Sequence, residues 1–337
     1  TTAISTGIST AWNTVKGIFE TVWIEPVPAH AITALRISNG LDWVGIEAEG
    51  VSDGEIILDG RRYPLENGRV KIAIDNPQLW TPEDPYLYRF TVTSGADRVD
   101  SYFALRTLTT ETVCGVPRLC LNGKPYFFNG LLDQGYWSDG LYTPAAPDGF
   151  EKDILAMKSL GFNTLRKHIK IEPERFYYDC DRLGMIVFQD MVNCGEYRFL
   201  RDTALPTLRL QKRRDTRLNP NPETREHFLC AMEETVRLLD NHPCICLWTI
   251  FNEGWGQFCA DEAYLRLKAL DGTRMVSVND GWEPHFAVLY GDDVMCAETP
   301  VTKQLTDVYE KYGKGVAGVC RSRRTPVHSF PQCSNSS

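Results

Sequence analysis

Near residue 110 the hydrophobic period of this 337-residue chain changes. Upstream, apolar and polar residues alternate over 31–37, 43–47, 55–58, 69–74 and 87–93, and Asp53-Gly54, Asp59-Gly60 and Asn67-Gly68 punctuate them as turns. No helical period appears there. Six or seven short strands at this spacing predict an immunoglobulin-like β-sandwich over 31–108. Downstream, apolar strand runs at 127–132, 164–168, 185–190, 244–250 and 275–278 alternate with helical periods over 150–160, 173–183, 223–240 and 260–270. Repeated strand–helix units with apolar strands predict a parallel sheet covered on both faces. The chain therefore reads as multidomain: an all-β sandwich, then an α/β unit built on a parallel sheet.

The first thirty residues do not read as a domain of their own. Residues 19–25 alternate like a strand and run into Pro26 and Pro28. A lone strand needs a sheet to join. Asn76-Pro77, Leu79-Trp80, Pro82 and Pro85 form a proline-stiffened link with an aromatic anchor at the end of the sandwich.

Composition narrows the function classes. Hydrophobic residues make up 43% and charged residues 24%, enough to bury a core and too apolar for general disorder. Acidic residues outnumber basic ones, 44 to 36, giving a net charge of −8, which disfavours a nucleic-acid partner. No run reaches the ~18 apolar residues of a membrane span, so no membrane partner is expected. The eleven cysteines contain no CxxC pair and read as free thiols of a reducing cytoplasm. No signal-peptide pattern is visible, which gives a cytoplasmic expectation, although the start reads as truncated and could have lost one. No phosphate-binding loop and no Gly-x-Ser-x-Gly elbow appear. The basic cluster over 212–217 reads as a solvated loop after the third of the downstream strands.

In parallel α/β folds chemistry sits at the carboxyl ends of the strands. Here those ends carry Asp133, then Arg166 and His168, then Asp190, then Asn252 and Glu253, then Asn279 and Asp280. Five polar ends in succession suggest a shared site. Glu253 emerges where a buried apolar strand stops, so partial desolvation would raise its carboxyl pKa toward that of a general acid. Asn252 beside it can offer an amide hydrogen to a substrate hydroxyl. Capping or ion pairing at a helix start is the competing reading of Glu253.

The segment His242-Pro-Cys-Ile-Cys-Leu-Trp-Thr-Ile-Phe-Asn252-Glu253 resembles the acid/base signature of glycoside hydrolase family 2. That family holds β-galactosidases, β-glucuronidases and β-mannosidases. Asn163-Thr-Leu-Arg166-Lys-His168, Leu79-Trp80-Thr-Pro-Glu-Asp-Pro85 and Leu121-Asn-Gly-Lys-Pro125 are similar to further family segments, and 17–26 is similar to the last strand of its jelly roll. The resemblance spans about 15–285. It implies three parts: a jelly-roll remnant over 1–30, the immunoglobulin-like sandwich over 31–108 and a catalytic α/β barrel of the (β/α)8 TIM type over 109–337, with the sequence after about 285 doubtful. It implies Glu253 as the proton donor, Asn252 as the ligand of the sugar's 2-hydroxyl, and His168 and Arg166 as residues lining the sugar site. Asp190 and Trp282 match wall residues only by their place at strand ends.

The implied reaction is hydrolysis of a terminal β-glycosidic bond with retention, which needs a second carboxylate ~5–5.5 Å from the first. In the family that nucleophile is a glutamate on the seventh barrel strand. At ~31 residues per unit it would lie near about position 345, past Ser337. Of Glu262, Glu283, Glu298 and Glu310, only Glu298 lies in a strand-like run, and it falls early for strand seven. The basic, polar stretch over 321–337 reads as a disordered tail or as sequence out of register with the family. The resemblance thus leads us to expect a chain cut short at both ends and an incomplete barrel. The partner is a carbohydrate substrate. No cofactor and no metal are required, although some family members bind Mg²⁺ or Na⁺, and a homo-oligomer is the family expectation. The alternative function is an inactive carbohydrate-binding remnant lacking the nucleophile. An adhesion protein led by the sandwich is a third reading, and it leaves the strand ends unexplained.

Overall fold

A computed structural model describes residues 22, 24–113, 116–193, 200, 216, 218–252, 256–280, 288–290 and 293–295. Ahead of the first strand the Thr33 backbone N–H donates to the Glu49 carbonyl of the sandwich at 2.9 Å, and Ile24 is fully exposed. The sandwich then opens with β1 (Ala34–Asn39), β2 (Trp43–Glu49), β3 (Glu55–Leu58), β4 (Arg61–Pro64), β5 (Arg69–Ala73), β6 (Tyr88–Ser94) and β7 (Asp97–Phe103). One antiparallel sheet has the order β1-β2-β5 and the other β4-β3-β6-β7. Every second residue of β2 is buried, so Val44, Ile46 and Ala48 turn inward and pack with Ile56, Phe90 and Val92. That alternation is what the period-two pattern requires of a sheet with one wet face. Asp59 and Gly60 both take positive φ between β3 and β4, the geometry of a two-residue hairpin turn.

Before the parallel sheet the chain makes a small antiparallel sheet from β8 (Leu108–Val113), β9 (Val116–Leu121) and β10 (Lys124–Pro125). Its Cys120 and Leu121 are buried, and Leu108 and Leu119 pack against the core of the next layer. Parallel pairing begins only with β11 (Gly130–Asp133). The sheet continues through β12 (Thr164–Lys167), β13 (Ile186–Asp190), β14 (Ile245–Asn252) and β15 (Met275–Asp280), neighbours in chain order. Helices α1 (Gly149–Ser159), α2 (Glu174–Leu183), α3 (Pro222–Leu239) and α4 (Ala260–Leu270) link successive strands. All described strands of this sheet pair in parallel. This is the TIM-barrel architecture, with five of its strands described. Every residue of β13 and β14 is buried, as expected of strands covered on both faces. Val288–Tyr290 and Asp293–Met295 follow as β16 and β17, an antiparallel pair rather than a sixth parallel strand.

The sandwich and the barrel are joined by buried polar contacts. Trp80, the anchor of the proline-rich link, is fully buried in the barrel core, and its indole N–H donates to the Asp181 carbonyl at 2.8 Å. The Tyr102 hydroxyl of β7 donates to Asp181 Oδ2 at 2.6 Å, and His242 Nδ1 lies 2.6 Å from the same oxygen. The backbone N–H of Cys244 donates to Asp181 Oδ1 at 2.8 Å. Arg106, buried at the end of the sandwich, donates to the carbonyls of Pro243 and Ile245, each at 2.7 Å.

Candidate active site at the carboxyl ends of the parallel strands

Successive side chains of a strand point to opposite faces, and β12 uses both. On one face Arg166 meets β13 and β14. Its Nε donates to Asp190 Oδ1 at 3.0 Å and its Nη2 to Asp190 Oδ2 at 2.9 Å, a two-pronged carboxylate pair. The same Nη2 donates to Asn252 Oδ1 at 2.8 Å. The Asp190 carboxylate has no solvent exposure, whereas the Arg166 side chain keeps 23%. Three of the strand-end residues named from sequence thus form one contact chain across β12, β13 and β14.

A guanidinium only donates, so the oxygen of the Asn252 amide must face Arg166. The amide nitrogen is then directed elsewhere. Asn252 is buried, and its Nδ2 has no hydrogen-bond partner among the described residues. An unpaired buried donor costs about 1–3 kcal/mol, so it is a feature a ligand oxygen would relieve. His168 is half-buried one residue past β12. Desolvation lowers its pKa, with Asp190 opposing and Arg166 adding to the shift. Its ring is therefore held neutral more firmly than an exposed histidine.

On the other face of β12 lies a second ionic cluster, which the strand-end pattern did not separate from the first. Lys167 Nζ lies 2.7 Å from Asp133 Oδ2 and 2.8 Å from Glu172 Oε1. Lys170 Nζ lies 2.9 Å from the same Glu172 oxygen and donates to the carbonyls of Gly135 and Tyr142. Lys167, Lys170 and Glu172 are all buried. Burial pushes the Lys167 ammonium down, but Asp133 and Glu172 outweigh it and leave its pKa raised. Gly135 has a positive φ, and a Cβ there would overlap the Glu172 carboxylate. The cluster thus pins the loop after β11. Asp133 belongs here and not with Arg166, so the five strand ends do not form a single site. The sequence signal was a Lys-x-x-Lys-x-Glu run leaving a buried strand.

Glu253, Trp282 and Glu298 lie outside the described residues, as does most of 212–217. Among the described residues no group of three or more histidine, cysteine or carboxylate side chains could hold a metal ion. No described helix is long and apolar enough to cross a membrane. His242, although part of the signature segment, sits at the start of β14 against Asp181 and Tyr102, at the opposite end from Asn252. Its part in the segment is to seat the strand on the sandwich.

Comparison with known proteins agrees with this architecture. The family model described as "Glycosyl hydrolases family 2, TIM barrel domain" matches residues 116–316. The one described as "Glycosyl hydrolases family 2" matches 46–106. A β-glucuronidase of Felis catus is 26% identical over 319 residues, covering 84% of this chain and 45% of that protein. A β-galactosidase of Lactococcus lactis subsp. lactis (strain IL1403) is 25% identical over 304 residues, covering 84% of this chain and 28% of that protein. The solved β-D-glucuronidase of Dictyoglomus thermophilum superposes with a TM-score of 0.58 at 18% identity, over 74% of this chain and 44% of that one. An uncultured Clostridium sp. β-glucuronidase gives 0.59 at 17% identity, over 75% of this chain and 47% of that one. The chain spans less than half the length of these relatives. With the barrel model alone matching more than half of its residues, and the sandwich model matching the strands before it, the chain belongs to glycosyl hydrolases family 2.

Proposed function

We propose that this protein hydrolyses terminal β-glycosidic bonds with retention of configuration, with Glu253 as the general acid and base. The observation that carries the reading is the buried amide nitrogen of Asn252, which has no hydrogen-bond partner among the described residues, at the end of β14 and one residue before Glu253. A sugar hydroxyl supplies the acceptor that donor lacks. Glu253 protonates the leaving oxygen while a second carboxylate attacks the anomeric carbon. It then takes a proton from water, which hydrolyses the glycosyl-enzyme intermediate. Arg166, Asp190, His168 and Trp282 belong to the sugar site, and Glu298 is the candidate nucleophile within the chain. Family membership supports the reaction class, and the β-glucuronidase and β-galactosidase relatives narrow the sugars to try first. The division into a jelly-roll remnant (1–30), sandwich (31–108) and barrel (109–337) is part of the same proposal.

The test is a panel of aryl β-D-glucuronide, β-D-galactoside and β-D-mannoside substrates, with wild type set against Glu253→Gln. General acid catalysis contributes about 10²–10⁴-fold, so the variant should lose that much on a poor leaving group. A variant as active as the wild type would remove Glu253 from the mechanism. Sugar binding by folded protein without turnover would select the inactive carbohydrate-binding reading instead.

A further inference from the structure

We infer that Arg166 is a positioning residue of the sugar site: it fixes the amide orientation of Asn252, and buried Asp190 fixes Arg166 in turn. This rests on the glycosidase reading for its kinetic test, but its geometry stands on the structure. Arg166 spends Nε and Nη2 on the two oxygens of Asp190 and shares Nη2 with Asn252 Oδ1. Asp190 has no exposed carboxylate surface through which to reach a ligand. Asn252 could otherwise place either its oxygen or its nitrogen toward the open end of the barrel. With an obligate donor on one side, only the nitrogen is left to face a ligand. A hydroxyl oxygen accepting from that nitrogen is then distinguished from a bare carbon. Arg166 thereby sets a hydroxyl preference through the amide of Asn252. A lysine cannot replace it, because a single ammonium lacks the planar fork that spans Asp190 and still reaches Asn252.

The experiment compares the aryl glycoside that the wild type turns over with its 2-deoxy analogue, in wild type, Arg166→Lys, Asp190→Asn, Asn252→Ala and Arg166→Lys/Asn252→Ala. Folding of each is checked by thermal unfolding. One well-oriented hydrogen bond corresponds to roughly a tenfold preference for the hydroxylated substrate in kcat/KM. That preference should collapse toward unity in Arg166→Lys and shrink in Asp190→Asn. Arg166→Lys should add little further loss once Asn252 is already alanine. A preference unchanged in both Arg166→Lys and Asp190→Asn, or fully additive losses in the double variant, would overturn the inference. A wild type with no turnover on any glycoside defeats the glycosidase reading alone. The inference is then read from the Asn252 side-chain amide resonances, assigned by their loss in Asn252→Asp. Arg166→Lys should move that pair toward the positions and fast exchange of an exposed amide. An unmoved pair would overturn the inference by itself.

Discussion

His242 and Asp181 meet at 2.6 Å where the sandwich docks on the amino-terminal end of β14. The Tyr102 hydroxyl shares the same carboxylate oxygen, and the other oxygen caps the backbone of Cys244. Three groups, from β7 and from the segment that leads into β14, thus depend on one buried side chain. Replacing Asp181 with alanine should destabilise the protein by about 3–5 kcal/mol, because it strands buried partners instead of removing them with it. Urea unfolding checks this. A midpoint like that of the wild type would show that water satisfies the seam.

Trp80→Ala should cost about 3–5 kcal/mol through the cavity it leaves, plus the lost bond to the Asp181 carbonyl. Trp80→Phe, which keeps most of the volume, should cost markedly less. The comparison of the two by thermal unfolding separates packing from the hydrogen bond.

Asp271 gives a pH signature. Burial raises its pKa, but Arg274 beside it, together with Thr273 and Trp248, outweighs burial and holds the carboxyl well below the usual range. A depressed folded pKa contributes stability that is complete above the unfolded value of about 3.9 and is lost as pH falls toward the folded one. Wild type should therefore lose stability below about pH 4 more steeply than Asp271→Asn. Parallel slopes in urea titrations between pH 7 and pH 3 would contradict the pairing.

His168 should titrate below the ordinary histidine value of about 6.5, because desolvation disfavours its charged form. Its stabilising share is present above that value and is lost as the pH drops through the folded pKa. An NMR titration of the ring resonances, with His168→Gln to assign them, reads the midpoint directly. A midpoint at or above the ordinary value would mean Asp190 outweighs burial.

Lys167→Ala should destabilise by about 3–5 kcal/mol, since Asp133 and Glu172 would face each other without their shared cation. Gly135→Ala should loosen the loop after β11, because its backbone is left-handed and its Cβ would overlap Glu172. Limited proteolysis within 134–142 tests the second effect; cleavage at the wild-type rate would show that the loop is held by something else.

Much of this architecture was legible in the residues. Strands β2, β3, β5 and β6 follow the alternation closely, and Asp59-Gly60 turns where its chemistry says it must. The four helices fall within a residue of their apolar periods because each buries a continuous stripe. β4 was hidden because Arg61 and Arg62 are exposed and offer no apolar face. The β8–β10 sheet was hidden because β8 buries none of its residues and offers no apolar face. At the site, parallel-strand logic picked Arg166, Asp190 and Asn252 but could not say which side chains share a face. Asp133 stands in line with them in sequence, yet the strand register sets it opposite Lys167, its ion-pair partner. One residue along a strand is the difference between two faces, and a list of strand ends does not carry that difference.

Arg106 gives the domain seam a mechanical meaning. It lies at the end of the sandwich, two residues ahead of β8, and holds two carbonyls where β14 begins. The far end of β14 carries Asn252. The sandwich is thus a splint on the very strand that presents the site, and a barrel excised without it would lose the brace at one end and the register of its polar tip at the other. Truncation for expression or design has to cut ahead of the sandwich, not behind it.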